Sequence, residues 1–349
     1  MTGNSGIPAG HKRGPSEGCL LLDKNPGRTS FESLFPVKKA FATGRVCHTG
    51  TLDKFARGLL IVLVGPAVKL ASRFAGCDKR YRGTVKFGEE TDTLDPEGTV
   101  VASGPVPEQA ALERILPRFT GGILQAPPLF SAVHVNGVRA HKLARSPALR
   151  AGVRVEDFAA VTMKERPVTI YSLELLDWNP PLAELEVHCS AGTYIRSLAR
   201  DIALALGSRA HLRSLTRTAV GDFSLDEALG LPVPEDARQA ASPAVPENET
   251  GPGDRTAAEN GTGPGAAEFE PLRQALMPLG PELFSRLGIP SLDIGEKEAA
   301  AVSRGGSLRF LGDRFPDAPA LALFYRGSLA AVAEKKDRRW AYGYVVPGG

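Results

Sequence analysis

The sequence predicts an α+β protein: a large mixed, mostly antiparallel sheet flanked by helices, then a small β-rich C-terminal unit. Three observations carry this. Strand patterns recur at 78–88, 167–178 and 182–189, the first and last with clear alternation. A helical stripe of Ile195, Leu198, Ile202 and Leu206 follows directly, with Gly207 as its stop. An aromatic-free stretch from Ser224 to Glu268 then isolates a last segment with strand patterns at 320–325, 328–333 and 339–346.

Residues 1–18 are polar with Gly and Pro and read as a disordered leader. Cys19 to Lys24 reads as a buried strand, and Asn25-Pro26-Gly27 turns the chain. Thr29 to Glu32 is a capping box, opening a helix with Phe31, Leu34 and Phe41 on or near one face; Pro36 should kink or shorten it. Leu59 to Val64 is an apolar strand, and Ala67 to Phe74 a short helix. In 79–88, Tyr81, Gly83, Val85 and Phe87 share one face, while Arg80, Arg82 and Lys86 take the other. Asp95-Pro96-Glu97-Gly98 is a turn into a further strand, and Glu108 to Phe119 an amphipathic helix. Asn136-Gly137 centres a hairpin. Ala183, Leu185, Val187 and Cys189 alternate with Glu184, Glu186 and His188. Glu296 to Arg304 is a helix closed by Gly305-Gly306. The predicted organisation is a leader over 1–18, a main domain over 19–231, a disordered acidic linker over 232–267 and a small module over 268–349.

Net charge is only +3, but it is unevenly spread. Residues 1–230 hold 29 Lys+Arg against 23 Asp+Glu, and residues 232–267 hold 2 against 6. The basic part is the N-terminal two thirds, which suits a polyanion partner. Cys19, Cys47, Cys77 and Cys189 are far apart with no CxxC pair, so no zinc site is expected. No signal-peptide pattern or membrane-length apolar run is present. A reducing, cytoplasmic location is the expectation. No metal, phosphate-loop or redox motif stands out, so no cofactor is expected.

The stretch from Cys47 to Leu60 places Asp53 in a glycine-bounded loop just ahead of a rigid strand. With no base or metal motif beside it, Asp53 would work as a lone carboxylate, nucleophile or base; the plain alternative is a turn residue or cap. Lys79-Arg80-Tyr81-Arg82 interleaves an aromatic ring with cations, as a platform for a nucleobase and its phosphates or as a guarded surface strand. Arg196 falls in the first turn of a helix, off its apolar stripe, where a cation is unfavourable. A carboxylate partner would hold it there, and Asp53 is a candidate; a solvated arginine is the alternative. Thr91 to Asp95 has the composition of a plain turn.

Taken in order, these strings resemble the bacterial tRNA pseudouridine synthase B family, whose members isomerise uridine-55 in the T-loop of tRNA. The resemblance runs from about Cys19 to Phe223. It includes Lys24, Gly27 to Ser30, His48 to Asp53, Lys79 to Arg82, Thr91 to Asp95, Gln125 to Ala132, Arg166 to Val168, Gly192 to Arg196 and Leu215 to Arg217. It implies the pseudouridine synthase fold and a tail resembling a shortened PUA-type RNA-binding module. Asp53 takes the place of the attacking aspartate and Arg196 that of its arginine partner. Tyr81 matches a tyrosine that stacks on the flipped base and is implicated in proton removal, and Asp95 an aspartate of the same network. His48 matches a histidine that helps extrude the nucleotide, and Tyr194 and Leu215 would line the uridine pocket. Lys24, Lys69, Lys79, Arg80, Arg82, Lys142 and Arg145 are the cations expected to meet RNA. The implied partner is the T-arm of tRNA, with no obligatory protein partner, no membrane and a monomeric state. Lys54, Arg57, His141 and the modest insertion at 157–165 depart from the pattern. Two rival readings are an RNA-folding chaperone and a guide-RNA-dependent relative within a multi-protein particle.

Overall fold

A computed structural model describes residues 17–128, 130, 134–135, 138–139, 164–231, 268–312, 317–337 and 339–346. The leader up to residue 16, the linker 232–267, His141, Lys142, Arg145 and most of the 157–165 insertion lie outside the described residues.

The chain opens with β1 (Gly18–Lys24), α1 (Phe35–Ala40), β2 (Val46–His48), β3 (Arg57–Val64), α2 (Ala71–Ala75) and β4 (Lys79–Phe87). β5 (Glu89–Thr91), β6 (Val100–Ser103), α3 (Gln109–Ile115), β7 (Gly121–Gln125), β8 (His134–Val135) and β9 (Val138–Arg139) follow. Next come β10 (Arg166–Asn179), β11 (Leu182–Cys189), α4 (Ile195–Ala205), β12 (Ala210–Val220), β13 (Phe223–Ser224) and β14 (Leu229–Gly230). The last part holds α5 (Glu270–Gln274), α6 (Pro281–Arg286), β15 (Ser291–Asp293), α7 (Glu296–Ser303), β16 (Ala320–Tyr325), β17 (Ser328–Lys336) and β18 (Arg339–Val345).

One sheet runs β14-β1-β3-β12-β4-β11-β10-β7, with β2 and β13 attached at β3 and β12. Among these pairs only β1/β14 and β3/β12 are parallel, so the sheet is mixed and mostly antiparallel. Strand composition follows burial. After the exposed Arg57, β3 is apolar from Leu59 to Val64 because both of its faces are covered. Leu60 and Val62 pack with Leu20, Leu34 and Val37 on one side. Leu59 and Ile61 pack with Phe74, Phe284 and Phe324 on the other. β4 alternates because only the face carrying Tyr81, Val85 and Phe87 is covered, by the stripe of α4.

The first helix departs from the sequence reading. The Thr29–Glu32 box forms, Thr29 N–H donating to Glu32 Oε2 at 2.7 Å and Glu32 N–H to Thr29 Oγ1 at 3.2 Å. It opens only a 3-10 turn, Glu32–Leu34, and α1 begins at Phe35. Pro36 has no N–H to give and is tolerated only in a first turn, so the helix restarts there rather than kinking. Phe31, ahead of the turn, points outward and is 57% exposed, whereas Leu34 is buried. The expected 67–74 helix is a 3-10 turn, Gly65–Leu70, running into α2.

The C-terminal unit is a second sheet, β15-β16-β17-β18. Its α6 and β16 bury Leu283, Phe284 and Phe324 in one core with Cys19, Leu21, Phe74 and Phe223 of the large sheet.

Candidate active site

A cavity of about 300 Å³ opens at the end of the β3/β12/β4 triplet. Its walls include Asp53, Lys79, Tyr81, Tyr194, Arg196, Leu215 and Arg217. That volume lies at the small end of ligand cavities.

Asp53 and Arg196, 143 residues apart, meet here. Arg196 Nη2 donates to Asp53 Oδ1 at 3.0 Å, and Nε lies 3.0 Å from Oδ2 without an aligned hydrogen bond. Nη1 donates to the Thr93 carbonyl at 2.8 Å and to Asp95 Oδ2 at 3.2 Å; Nη2 also reaches the Phe130 carbonyl at 3.1 Å. The planar guanidinium thus serves two carboxylates and two carbonyls at once, which an ammonium could not do. These partners explain a buried cation at a helix start, where the dipole alone would oppose it. Asp95 is buried, and burial pushes its pKa up against hydrogen bonding by Thr93 and the pull of Arg196. It is offered by a turn in which Leu94 takes φ 61°, a left-handed conformation rare for a leucine. Thr93 Oγ1 and Glu97 N–H donate to its Oδ1 at 2.5 and 3.0 Å.

The Asp53 loop is fixed from behind by two further cations. Lys24 is fully buried, and its Nζ donates to the carbonyls of Asn25, Arg28 and Lys54 at 3.0, 2.7 and 3.3 Å. Ser30 Oγ accepts from Leu52 N–H at 2.8 Å and donates to the Leu52 carbonyl at 3.0 Å. Arg217, also buried, donates to the carbonyls of Leu59 at 2.8 Å, Gly50 at 3.1 Å and Thr51 at 3.4 Å. Its backbone runs so close to Gly58 that a Cβ there would stand 2.4 Å from the Arg217 carbonyl oxygen, and Gly58 has φ +111°. Arg217 appeared in the sequence only inside the Leu215–Arg217 string. Its anchoring role rests on the β3/β12 pairing, Arg217 opposite Gly58, which no local pattern announces.

Tyr81 is buried in the wall, and burial pushes its hydroxyl pKa up while Arg217 pulls it down. Leu215 lies over Gly83 beside it, and Tyr194 N–H donates to Gln125 Oε1 at 2.8 Å. Of the remaining expected residues that the structure describes, only Lys79 lines the cavity. His48 is outside the cavity lining; burial and Arg217 lower its pKa, and its buried Nδ1 has no hydrogen-bond partner among the described residues. Lys79 reaches the cavity but spends its ammonium on the carbonyls of Ala75, at 2.6 Å, and Cys77. Arg80 and Arg82 project from the opposite sheet face, Arg82 pairing with Glu184 at 3.5 Å. Lys69 is exposed, its Nζ 5.8 Å from the Tyr344 ring. Among the described residues no group of three His, Cys, Asp or Glu is arranged to hold a metal ion.

Comparison with known proteins places the chain among its relatives. Residues 38–195 match the model of the TruB family pseudouridylate synthase, N-terminal domain. The tRNA pseudouridine synthase B of Borreliella burgdorferi (strain ZS7) is 45% identical over 214 residues, spanning 60% of this chain and 72% of that one. Its counterpart in Bordetella avium (strain 197N) is 44% identical over 230 residues, 65% of this chain and 88% of that one. Among solved structures, a chain of a Cbf5-Nop10-Gar1 complex superposes with a TM-score of 0.58 over 95% of this chain and 84% of its own, at 21% identity, a likeness of fold. A matching family model and relatives at 44–45% identity lead to one conclusion: the chain belongs to the TruB family of pseudouridylate synthases.

Proposed function

We propose that this protein is a tRNA pseudouridine synthase that isomerises uridine-55 in the T-loop, with Asp53 as the attacking group. One observation carries the reading: a single carboxylate at the wall of a nucleoside-sized cavity, oriented by a buried arginine and faced by a tyrosine ring. The reaction breaks the glycosidic C1′–N1 bond and makes C1′–C5; C5 gives up a proton and N1 gains one. It needs a nucleophile, a site that lets the base turn, and a proton path. Asp53 is the nucleophile toward either the sugar or the base ring, and Arg196 holds it in its attacking orientation. Tyr81 offers the flipped base a stacking face and Leu215 lines the pocket beside it; the extrusion costs a few kcal/mol. With its hydroxyl pKa raised, Tyr81 serves as a stacking surface more readily than as a base. Lys24 and Lys79 act as positioning residues, since their ammonium groups are already committed to carbonyls.

The enzyme acts in the cytoplasm as a single chain, the tRNA T-arm its one obligatory partner. Residues 19–231 are the catalytic domain, 268–349 a PUA-like RNA-binding module, and 1–18 and 232–267 a leader and a linker.

The test is to incubate purified protein with unmodified tRNA transcript and no added factor, then map pseudouridine by carbodiimide primer extension. One new stop in the T-loop is expected. Asp53→Asn should abolish it while leaving tRNA binding near wild type. A stop produced by that variant would overturn the role of Asp53. Product only after a guide RNA or partner protein is added would overturn the single-chain reading.

A further inference from the structure

We propose that Phe31 and Phe35, with Lys38, form a second nucleobase platform, binding an unpaired substrate nucleotide outside the cavity. This rests on the tRNA-modifying reading above. The two rings are among the most exposed apolar groups described, Phe31 57% and Phe35 47% accessible. They stand edge to face, centroids 5.5 Å apart and planes at 81°. Lys38 Nζ lies 4.7 Å from the Phe31 centroid and 5.8 Å from that of Phe35. Their neighbours Leu34 and Val37 are buried, so the turn has an inward side and does not use these rings for it. Two solvated phenylalanines with a cation over them combine the two features that hold single-stranded nucleic acid: a π-face for a base and a positive charge for its phosphate.

Position points to the same ligand. The platform is one residue from Ser30, whose hydroxyl holds Leu52 through both its N–H and its carbonyl; Leu52 adjoins Asp53. Gly27 N–H donates to the Lys54 carbonyl at 2.8 Å, so the 27–35 segment and the Asp53 loop are clamped on either side of the aspartate. Charge agrees: Arg28 and Lys54 lie near Glu32, whose carboxylate is engaged by Thr29, Lys54 also pairs with Glu97 at 3.7 Å, and α1 adds Lys38 and Lys39. An unpaired nucleotide adjoining an extruded uridine fits such a surface; an acidic or apolar protein segment is the competing occupant.

Binding and turnover on tRNA transcript would be measured for Phe31→Leu/Phe35→Leu, Phe31→Tyr/Phe35→Tyr and Lys38→Gln. Leucine keeps the apolar surface without the π-face, and tyrosine keeps both. Loss of one stacked base should weaken tRNA binding about 10-fold in the leucine variant and raise KM in step, with kcat at saturating RNA unchanged. The tyrosine variant should match wild type. Lys38→Gln should lower the salt slope of binding by roughly one phosphate contact. Wild-type affinity in the leucine variant, with product still formed, would overturn the platform and leave the patch to a protein partner. Equal loss in the leucine and tyrosine variants would also overturn it, pointing to packing. Absence of product from wild type would instead count against the tRNA-modifying reading itself.

Discussion

Arg196 joins two unlike carboxylates across one guanidinium: Asp53, 36% exposed at the cavity wall, and Asp95, 7% exposed behind it. The outer carboxylate remains open to a substrate, while the inner one is sealed in and fixes the arginine from the rear. Arg196→Lys should therefore be a severe change despite its conserved charge. An ammonium cannot span Asp53, Asp95 and the carbonyls of Thr93 and Phe130 together. Activity should fall at least 100-fold through kcat. Stability should fall by about 3 kcal/mol, because Asp95 is left buried with its charge poorly matched. Single-turnover kinetics and thermal melts would measure the two losses; a near-normal kcat would remove Arg196 from the orienting role.

Lys24 gives the site a pH signature. Burial lowers its pKa from 10.5 to about 8, opposed by the Asp53 carboxylate. Between those values the unfolded chain binds more protons than the folded one, so stability rises with pH across the window. Lys24→Met should flatten that rise. It also strands three carbonyls behind the Asp53 loop, at about 1–3 kcal/mol each if dry, partly offset by no longer burying a charge. Net stability at neutral pH should therefore fall, by a few kcal/mol at most, and kcat should drop as the loop loosens. Melting temperature against pH, wild type beside variant, is the measurement; parallel curves would count against a buried, shifted lysine.

The difference between what the sequence disclosed and what it withheld follows from the range of the interactions. The alternation in β4 and β11 and the stripe of α4 are local consequences of one covered face, and they read directly. Arg196 stands out in the sequence because a cation in a first helical turn needs a partner. The functions of Lys24 and Arg217 were not legible, because both are inward cations satisfied by carbonyls from distant segments. A charged residue in a sequence reads as surface until tertiary structure shows otherwise. Phe31 erred in the other direction: its place near an apolar face suggested core, but the 3-10 turn ahead of Pro36 turned it outward.

The family resemblance places Arg80 and Arg82 among the RNA contacts, yet they alternate with Lys79 and Tyr81 and so leave the sheet on the far side from the cavity. Replacing both with Ala should leave the salt slope of tRNA binding unchanged, whereas a phosphate-contacting cation would remove nearly one unit each. A titration of binding across ionic strength decides this. A slope reduced by about two would mean that RNA wraps around the β4 edge.

The C-terminal unit should prove inseparable from the large sheet. Its Phe284 and Phe324 complete the core over Leu21, Leu59, Ile61 and Phe223. Arg286 closes the joint from outside, its two Nη atoms donating to Glu227 at 2.8 and 2.6 Å and Nη2 to the Asp222 carbonyl at 2.8 Å. Its guanidinium also lies 4.2 Å from the Phe223 centroid. Arg286→Ala should cost only about 1 kcal/mol, because Glu227 is largely in solvent. Truncation at Leu231 is different in kind: it bares one face of β1 and β3, a contiguous apolar surface that water does not tolerate. The truncated chain is expected to aggregate or to lose its cooperative melt. A soluble fragment with a sharp transition and wild-type activity would mean that the catalytic sheet is stable without its cover.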